Sequence, residues 1–199
     1  MIAQQKELNS HRISFCDSEE LTISVHSWNV NGSKHIKENL NLTNWLLPIK
    51  ESKIPDIFVF GLEEVVELKA SNIVFNSNSK NIELWKNLLT SNVNEIDKYV
   101  LVKQLDLVGI GLFLFVKEKL VENITNIDSS IVKTGMMGTV GNKGSCFLKF
   151  QIFDTSIAIS CAHLSAGTKS HKQRITELID IINKPLNDSI QKQVSIILI

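Results

Sequence analysis

The chain reads as a mixed α/β domain with more antiparallel pairing than a doubly wound nucleotide-binding fold, on three observations. Short apolar runs of strand length recur along the sequence. Two pairs of them are separated by only a few turn-forming residues, which is hairpin spacing. Between them lie stretches whose apolar residues recur at helical spacing. No repeat, linker or low-complexity tract interrupts the 199 residues. One domain over residues 21–199 is therefore expected, after an N-terminal extension over 1–20.

The elements come in this order. Leu21, Ile23 and Val25 alternate with Thr22, Ser24 and His26, the period of a half-buried strand. That strand runs into Trp28-Asn29-Val30-Asn31-Gly32, where Asn-Gly marks a turn. Ile36, Leu40 and Leu47 have loosely helical spacing, limited by Pro48. Ile57-Phe58-Val59-Phe60 is an unbroken apolar run, as in a strand covered on both faces. Gly61 is expected to close it and a helix to begin near Glu63. Asn76 to Lys80 is a polar loop, and Ile82, Trp85, Leu88 and Leu89 then give a helix with one buried face. Tyr99–Gln104 and Gly109–Val116 form a hairpin around Asp106. Ser145–Phe153 and Ser156–Ala162 form a second, joined at Asp154-Thr155. Lys172–Asn183 is helical with Ile175, Leu178, Ile179 and Ile182 on one side, and Val194–Ile199 is a buried strand.

Composition narrows the class. Lys plus Arg and Asp plus Glu number 21 each, so the chain is neutral and lacks the basic footprint of a nucleic-acid-binding domain. Neutrality leaves an anionic ligand open, because a metal ion and a few local cations bind phosphate without a basic surface. Cys16, Cys146 and Cys161 are odd in number and widely spaced, and the last two lie in apolar runs, so buried reduced thiols are expected. No signal peptide is visible and no segment has the length of a membrane span, which sets a cytoplasmic expectation.

Four segments can carry chemistry. Asn29 and Glu64 each stand at the C-terminal end of an expected strand, where α/β sheets place their sites. An amide oxygen and a carboxylate suit magnesium, which takes one or two protein ligands and keeps several waters. Taken singly, an exposed turn asparagine and an exposed helix-start glutamate are the favoured reading, which pairing with the downstream motifs reverses. In the stretch from Thr134 to Gly144, glycine recurs at positions 135, 138, 141 and 144, so the backbone can approach a ligand and Lys143 can place a charge on a phosphate. A flexible hairpin approach fits the glycine pattern equally well. Lys143 is followed by glycine, so this is no P-loop, and a strand comes next where a dinucleotide fingerprint needs a helix. His163 ends a strand and could donate to a phosphate or carry a proton, or be structural. Arg174 reads as solvent-facing rather than phosphate-binding.

Taken together, Ser27-Trp28-Asn29-Val30-Asn31-Gly32, Phe60-Gly61-Leu62-Glu63-Glu64-Val65-Val66, Gly138-Thr139-Val140-Gly141-Asn142-Lys143-Gly144-Ser145 and Cys161-Ala162-His163-Leu164-Ser165-Ala166-Gly167 resemble, in order and spacing, the motifs of the inositol polyphosphate 5-phosphatases. Glu67 to Val74 and Lys133 to Met136 look like the synaptojanin-type branch. The resemblance implies a DNase-I-like (endonuclease/exonuclease/phosphatase) fold, a four-layer sandwich of two mixed β-sheets. It implies magnesium-dependent hydrolysis of the 5-phosphate of phosphoinositides or soluble inositol phosphates, with a peripheral membrane surface as the setting for the lipid forms; the cytoplasmic expectation and that of no nucleic-acid partner rest on composition. It implies roles for residues: Asn29 and Glu64 at the metal, Asn142 and Lys143 on the substrate phosphate, His163 at the scissile phosphate, and Asn31 as a further active-site residue. An endonuclease or sphingomyelinase of the same superfold, or a non-catalytic phosphoinositide-binding or partner-binding fragment, are the alternatives.

Two departures from the family pattern stand out. Glu63 occupies the position of a family glutamine. The Gly-Asp-x-Asn motif expected directly after Val194–Ile199, and the later Trp-Cys-Asp-Arg and Ser-Asp-His segments, are not in the sequence, so residues 21–199 resemble the N-terminal portion of the catalytic domain, incomplete at its C-terminus, and weak or absent turnover is expected. The 199-residue chain should therefore release phosphate from phosphatidylinositol 4,5-bisphosphate no faster than its Glu64→Ala variant. A colorimetric phosphate assay checks this, and robust Glu64-dependent turnover would refute it.

Overall fold

The computed structural model describes residues 19–33, 36–37, 39–48, 53–66, 76–135, 140–186 and 194–199. Two four-stranded sheets are stacked face to face. The first has the order β1 (Ile23–Asn29), β2 (Ile57–Glu63), β4 (Ile110–Lys117), β3 (Tyr99–Leu107). The second runs β5 (Ile124–Gly135), β6 (Val140–Ile152), β7 (Thr155–His163), β8 (Val194–Leu198). In each sheet one pair is parallel, β1 with β2 and β7 with β8, and the other pairs are antiparallel. A short helix α1 (Thr43–Leu46) and the long α2 (Asn76–Asn94) cover the outside of the first sheet, and α3 (His171–Leu186) lies outside β5 and β6. The layers are thus helix, sheet, sheet, helix.

Strand β2 shows why. Its Ile57 and Val59 face inward, into a core shared with Leu112, Leu114, Leu148, Phe150 and Ile159 of both sheets. Its Phe58, Phe60 and Leu62 face outward and are covered by Ile82, Trp85, Leu88 and Leu89 of α2. A strand with both faces buried needs an unbroken apolar run, and that is what the sequence supplies. Both expected hairpins form, the first turning at Val108-Gly109, where Gly109 has φ 79°, rather than at Asp106. Cys146 and Cys161 are free, buried and directly opposite one another on β6 and β7, as expected for reduced thiols; Cys16 lies outside the described residues. Burial pushes the Cys146 thiol up to about 12.

Several expectations are corrected. Gly61 does not close β2, which continues to Glu63, and no helix starts at Glu63. A Cβ on Gly61 would lie 2.9 Å from Cys161 Sγ, so this glycine serves the close approach of the sheets. Residues 76–80 are the first turn of α2, not a loop: the apolar stripe of α2 drives the helix, and extending it by a polar turn overrides the weak propensity of Asn and Ser. The spacing over Ile36–Leu47 yields helix only at Thr43–Leu46, because the Asn41 side chain takes the Thr43 N–H at 2.9 Å and starts the helix there. On β1 Leu21 and Ile23 pack against the inter-sheet core as the alternation predicts, but the pattern fails at its end. His26 is buried against Trp45, Phe58 and Phe60, and Val25 is exposed. Burial lowers His26 to about 4, so its ring is neutral beside Ser24 Oγ at 2.8 Å. On α3 the buried face carries Glu177 and Ile181, whereas Ile175, Ile179 and Ile182 are exposed. Strand β5 has no counterpart among the expected elements, since its sequence is largely polar.

At the end of the first sheet remote from the C-terminus of β2, the buried pair Asp56 and Lys117 closes the structure. Lys117 Nζ donates to Asp56 Oδ1 and to the Ile54 carbonyl, both at 3.1 Å, and the Thr22 N–H donates to Asp56 Oδ2 at 3.1 Å. Burial by itself would raise the Asp56 carboxyl. The Thr22 amide and the Lys117 ammonium outweigh it and hold the carboxyl below its ordinary value of 3.8. A depressed carboxyl stabilises the fold above its unfolded pKa and loses that contribution as pH falls through the folded one. Lys117→Met should lower the unfolding free energy by about 3 kcal/mol at neutral pH by stranding Asp56, and should diminish the loss of stability below about pH 4. Urea midpoints as a function of pH read both.

Candidate functional site

Strands β1 and β2 run parallel and end side by side, with Asn29 in register with Glu63. Their exits are tied together. Val30 N–H donates to the Glu63 carbonyl at 2.9 Å and Gly32 N–H to the Glu64 carbonyl at 2.6 Å. The Asn29 side-chain oxygen accepts the Asn31 N–H at 3.1 Å, an Asx turn that the Asn-x-Asn-Gly spacing allows. Ser33 Oγ donates to the Val65 carbonyl at 2.7 Å and accepts from Trp85 Nε1 at 2.9 Å, so α2 braces the same turn. Asn31, Ser33 and Glu64 all have left-handed backbones, with φ 46°, 55° and 53°. Such conformations cost about 1–3 kcal/mol each and concentrate at functional sites.

The second sheet delivers its groups to the same place. β7 ends at His163, which is in register with Gly144 of β6, the residue after Lys143. Lys143 Nζ is 2.7 Å from His163 Nε2, and Glu64 Oε1 is 3.7 Å from the same nitrogen. Of the residues singled out in the sequence, Glu64, Lys143 and His163 converge, and Asn29 and Asn31 sit on the turn beside Glu64. Lys143 and Asn142 lie on strand β6 and not on a loop. Residues 136–139 and the Asn142 side chain lie outside the described ones.

Burial first, and the Lys143 charge second, lower His163; Glu64 pulls the other way. The imidazole is therefore neutral near pH 7, accepts from the Lys143 ammonium through Nε2, and carries its own proton on Nδ1. That Nδ1 is buried and has no hydrogen-bond partner among the described residues. Lys143 is lowered by burial, against Glu64, Glu63 and Glu177, which hold its proton on. Glu63 is raised by burial and by Glu64, against Lys143. Among the described residues no three His, Cys, Asp or Glu side chains gather as a metal cage. The donors that do fit a cation are hard oxygens: the Glu64 carboxylate, about one-third exposed at 35%, and the exposed Asn29 amide. One carboxylate plus an amide suits an ion that keeps most of its water.

The sequence reading missed the segment behind His163. Arg174 is half-buried rather than simply solvent-facing: its Nη1 donates to the Ser165 carbonyl at 3.1 Å and the Gly167 carbonyl at 2.7 Å. Glu177 is 4% exposed and accepts the Ser165 N–H at 2.8 Å. A carboxylate on the inner face of an amphipathic helix was the signal, hidden because the isoleucines alone set the phase of the helix.

Comparison with known proteins matches residues 26–199 to Endonuclease/Exonuclease/phosphatase family 2. The chain is 34% identical over 193 residues to human synaptojanin-2, a match covering 90% of this chain and 13% of that protein. It is 31% identical over 177 residues to the polyphosphatidylinositol phosphatase INP53 of Saccharomyces cerevisiae, covering 88% of this chain and 16% of that one. Among solved structures, the inositol polyphosphate 5-phosphatase domain of SPsynaptojanin, in complex with inositol (1,4)-bisphosphate and a calcium ion, superposes with a TM-score of 0.71 at 27% identity. The match covers 90% of this chain and 51% of that one, so the chain spans about half of the solved domain structure and a smaller share of the curated relatives.

Gly144 explains the second glycine of Gly-Asn-Lys-Gly. It has φ 147°, and a Cβ there would lie 2.0 Å from the Val132 carbonyl oxygen of β5. Gly144→Ala should cost at least about 2 kcal/mol. It should also disturb the Lys143–His163 contact, which a denaturation series and the His163 ring resonances together would show; unchanged stability would refute this account of the glycine.

Proposed function

This chain belongs to the endonuclease/exonuclease/phosphatase family, and within it to the synaptojanin-like inositol polyphosphate 5-phosphatase catalytic domains, and from that membership we propose that its site takes up the 5-phosphate of a phosphoinositide head group or a soluble inositol phosphate. The observation that carries the reading is the meeting of Lys143, His163 and Glu64. A cation, a neutral imidazole and a carboxylate from three distant segments stand together, the first and last within 3.7 Å of one ring nitrogen.

In this reading the Lys143 ammonium pairs with the phosphate, and Asn142 beside it adds amide contacts. His163 Nε2, relieved of Lys143 when an anion takes that ammonium, becomes available to the phosphate as an acceptor of its proton or, once protonated, as a donor to its oxygens. Glu64 and Asn29 would hold magnesium, which supplies charge stabilisation to the transferring phosphoryl group. Asn31 lines the turn that keeps Asn29 and Glu64 together. Membrane encounter is then peripheral and on the cytoplasmic side, and the reaction class is phosphoric monoester hydrolysis at the 5-position.

Calorimetric binding of inositol 1,4,5-trisphosphate to the 199-residue chain in magnesium buffer tests the reading. Inositol 1,4-bisphosphate should bind more weakly, and Lys143→Ala should weaken the trisphosphate by about tenfold. Equal affinity for the two ligands, or indifference to Lys143, would overturn it.

A further inference from the structure

The ring of His163 is held on one side only. Lys143 meets Nε2, Nδ1 has no partner among the described residues, and the strand ends at this residue. Beyond it a four-residue connection leads to the 3₁₀ turn Thr168–Ser170. A short segment of this kind does not fix a side chain at its root unless its own polar groups are tied down.

Those of Ser165, and the Gly167 carbonyl, are tied down by one helix. Ser165 gives its N–H to Glu177 Oε2 at 2.8 Å and its Oγ–H to Glu177 Oε1 at 2.5 Å, and its carbonyl accepts from Arg174 Nη1 at 3.1 Å. Arg174 Nη1 also donates to the Gly167 carbonyl at 2.7 Å, where φ is 96°. Gln173 Nε2 donates to Glu177 Oε1 at 3.0 Å, which supplies the carboxylate with a third donor. A carboxylate that is 4% exposed costs several kcal/mol of desolvation unless its hydrogen bonds compensate. Packing alone does not account for its place inside α3, because a leucine would fill the same space without that cost. Glu177 also acts on the Lys143 ammonium through space. One helical turn therefore addresses both partners of the Lys143–His163 contact, the lysine by charge and the histidine through the segment behind it.

We propose that Glu177 and Arg174 are positioning residues for the candidate active site, clamping Ser165 and Gly167 so that the His163 imidazole keeps its place against Lys143 and Glu64. The inference rests on the reading of His163 as a site residue, but its test needs neither substrate nor metal, so failure of the phosphatase reading would appear in ligand binding and not here.

The test is NMR on the 199-residue chain, following the Ser165 amide and the His163 ring carbons and nitrogens. Glu177→Ala should speed Ser165 amide exchange by roughly tenfold or more, and should shift or broaden the His163 ring signals while distant amides of β3 and β4 keep theirs. Glu177→Gln, which retains an oxygen acceptor for Ser165, should restore most of the ring signals. Arg174→Ala should reproduce the ring effect more weakly, and it decides the matter alone where Glu177→Ala does not fold. His163 ring signals identical to the parent in a folded variant whose Ser165 protection is lost would overturn the proposal, because the histidine would then be held by β7 pairing alone.

Discussion

The close approach of the two sheets is the constraint on which the rest depends. Gly61 of β2 faces Cys161 of β7 so tightly that a single added carbon would lie 2.9 Å from the sulfur and 3.1 Å from the Ile199 side chain. Three residues beyond Gly61 stands Glu64, and two beyond Cys161 stands His163. The strands that touch beneath the site therefore deliver their last side chains to one place, and the 3.7 Å between Glu64 Oε1 and His163 Nε2 is set by packing rather than by any bond between them. A larger residue at position 61 would wedge the sheets apart just below the groups that must meet. Ile199 reinforces the arrangement: its N–H donates to the Ser160 carbonyl at 2.8 Å and its own carbonyl accepts from the Ala162 N–H at 2.9 Å, so the end of β8 also arrives beside His163.

The electrostatics are a consequence of that closeness. Burial lowers the pKa of the half-buried Lys143 ammonium, and three carboxylates, Glu64, Glu63 and Glu177, act against that lowering. His163 is lowered in the same direction, by burial first and by Lys143 second, against Glu64, and its ring stays neutral near pH 7. An ammonium next to a neutral imidazole is a pairing that an anion can divide, since a phosphate offers the ammonium a better partner than a ring nitrogen does. Glu63, where the resemblance implies a glutamine, lies on the inter-sheet face near Cys161 and adds charge to the Lys143 surroundings; burial resists its ionisation.

Much of this is legible in the sequence, and the parts that are not share a cause. The apolar run of β2, the two hairpins and the stripe of α2 are patterns that local periodicity reports, because each buries what it displays. The site residues Glu64, Lys143 and His163 are legible only as a set of spaced motifs, since a strand-end carboxylate or histidine has no local signature. The errors fall where tertiary burial departs from the local pattern. His26 is buried where periodicity puts Val25, because Trp45 and two phenylalanines cover the polar-looking face of β1. Glu177 is buried where the helical stripe puts Ile175 and Ile179, and its carboxylate there accepts from Ser165. Strand β5 leaves no apolar pattern because its pairing with β6 is a matter of backbone, which polar residues make as well as apolar ones.

The left-handed backbone at Glu64 solves a problem of parity. On β2 the even-numbered residues Phe58, Phe60 and Leu62 point outward beneath α2, so an undisturbed strand would send Glu64 into the same apolar layer. A carboxylate there would be stranded without partners, at a cost of several kcal/mol. Turning the backbone to φ 53° at this residue redirects the side chain toward His163. The strain costs about 1–3 kcal/mol, and the surrounding hydrogen bonds offset it: Gly32 N–H to the Glu64 carbonyl, and Val65 N–H to the Gly109 carbonyl. The Asn29-x-Asn31-Gly32 turn is thus more than a neighbour of the acidic residue. By supplying the donor that holds the Glu64 carbonyl, the turn that presents Asn29 also braces the residue that carries the carboxylate, and the two oxygen donors are thereby held at adjoining strand exits.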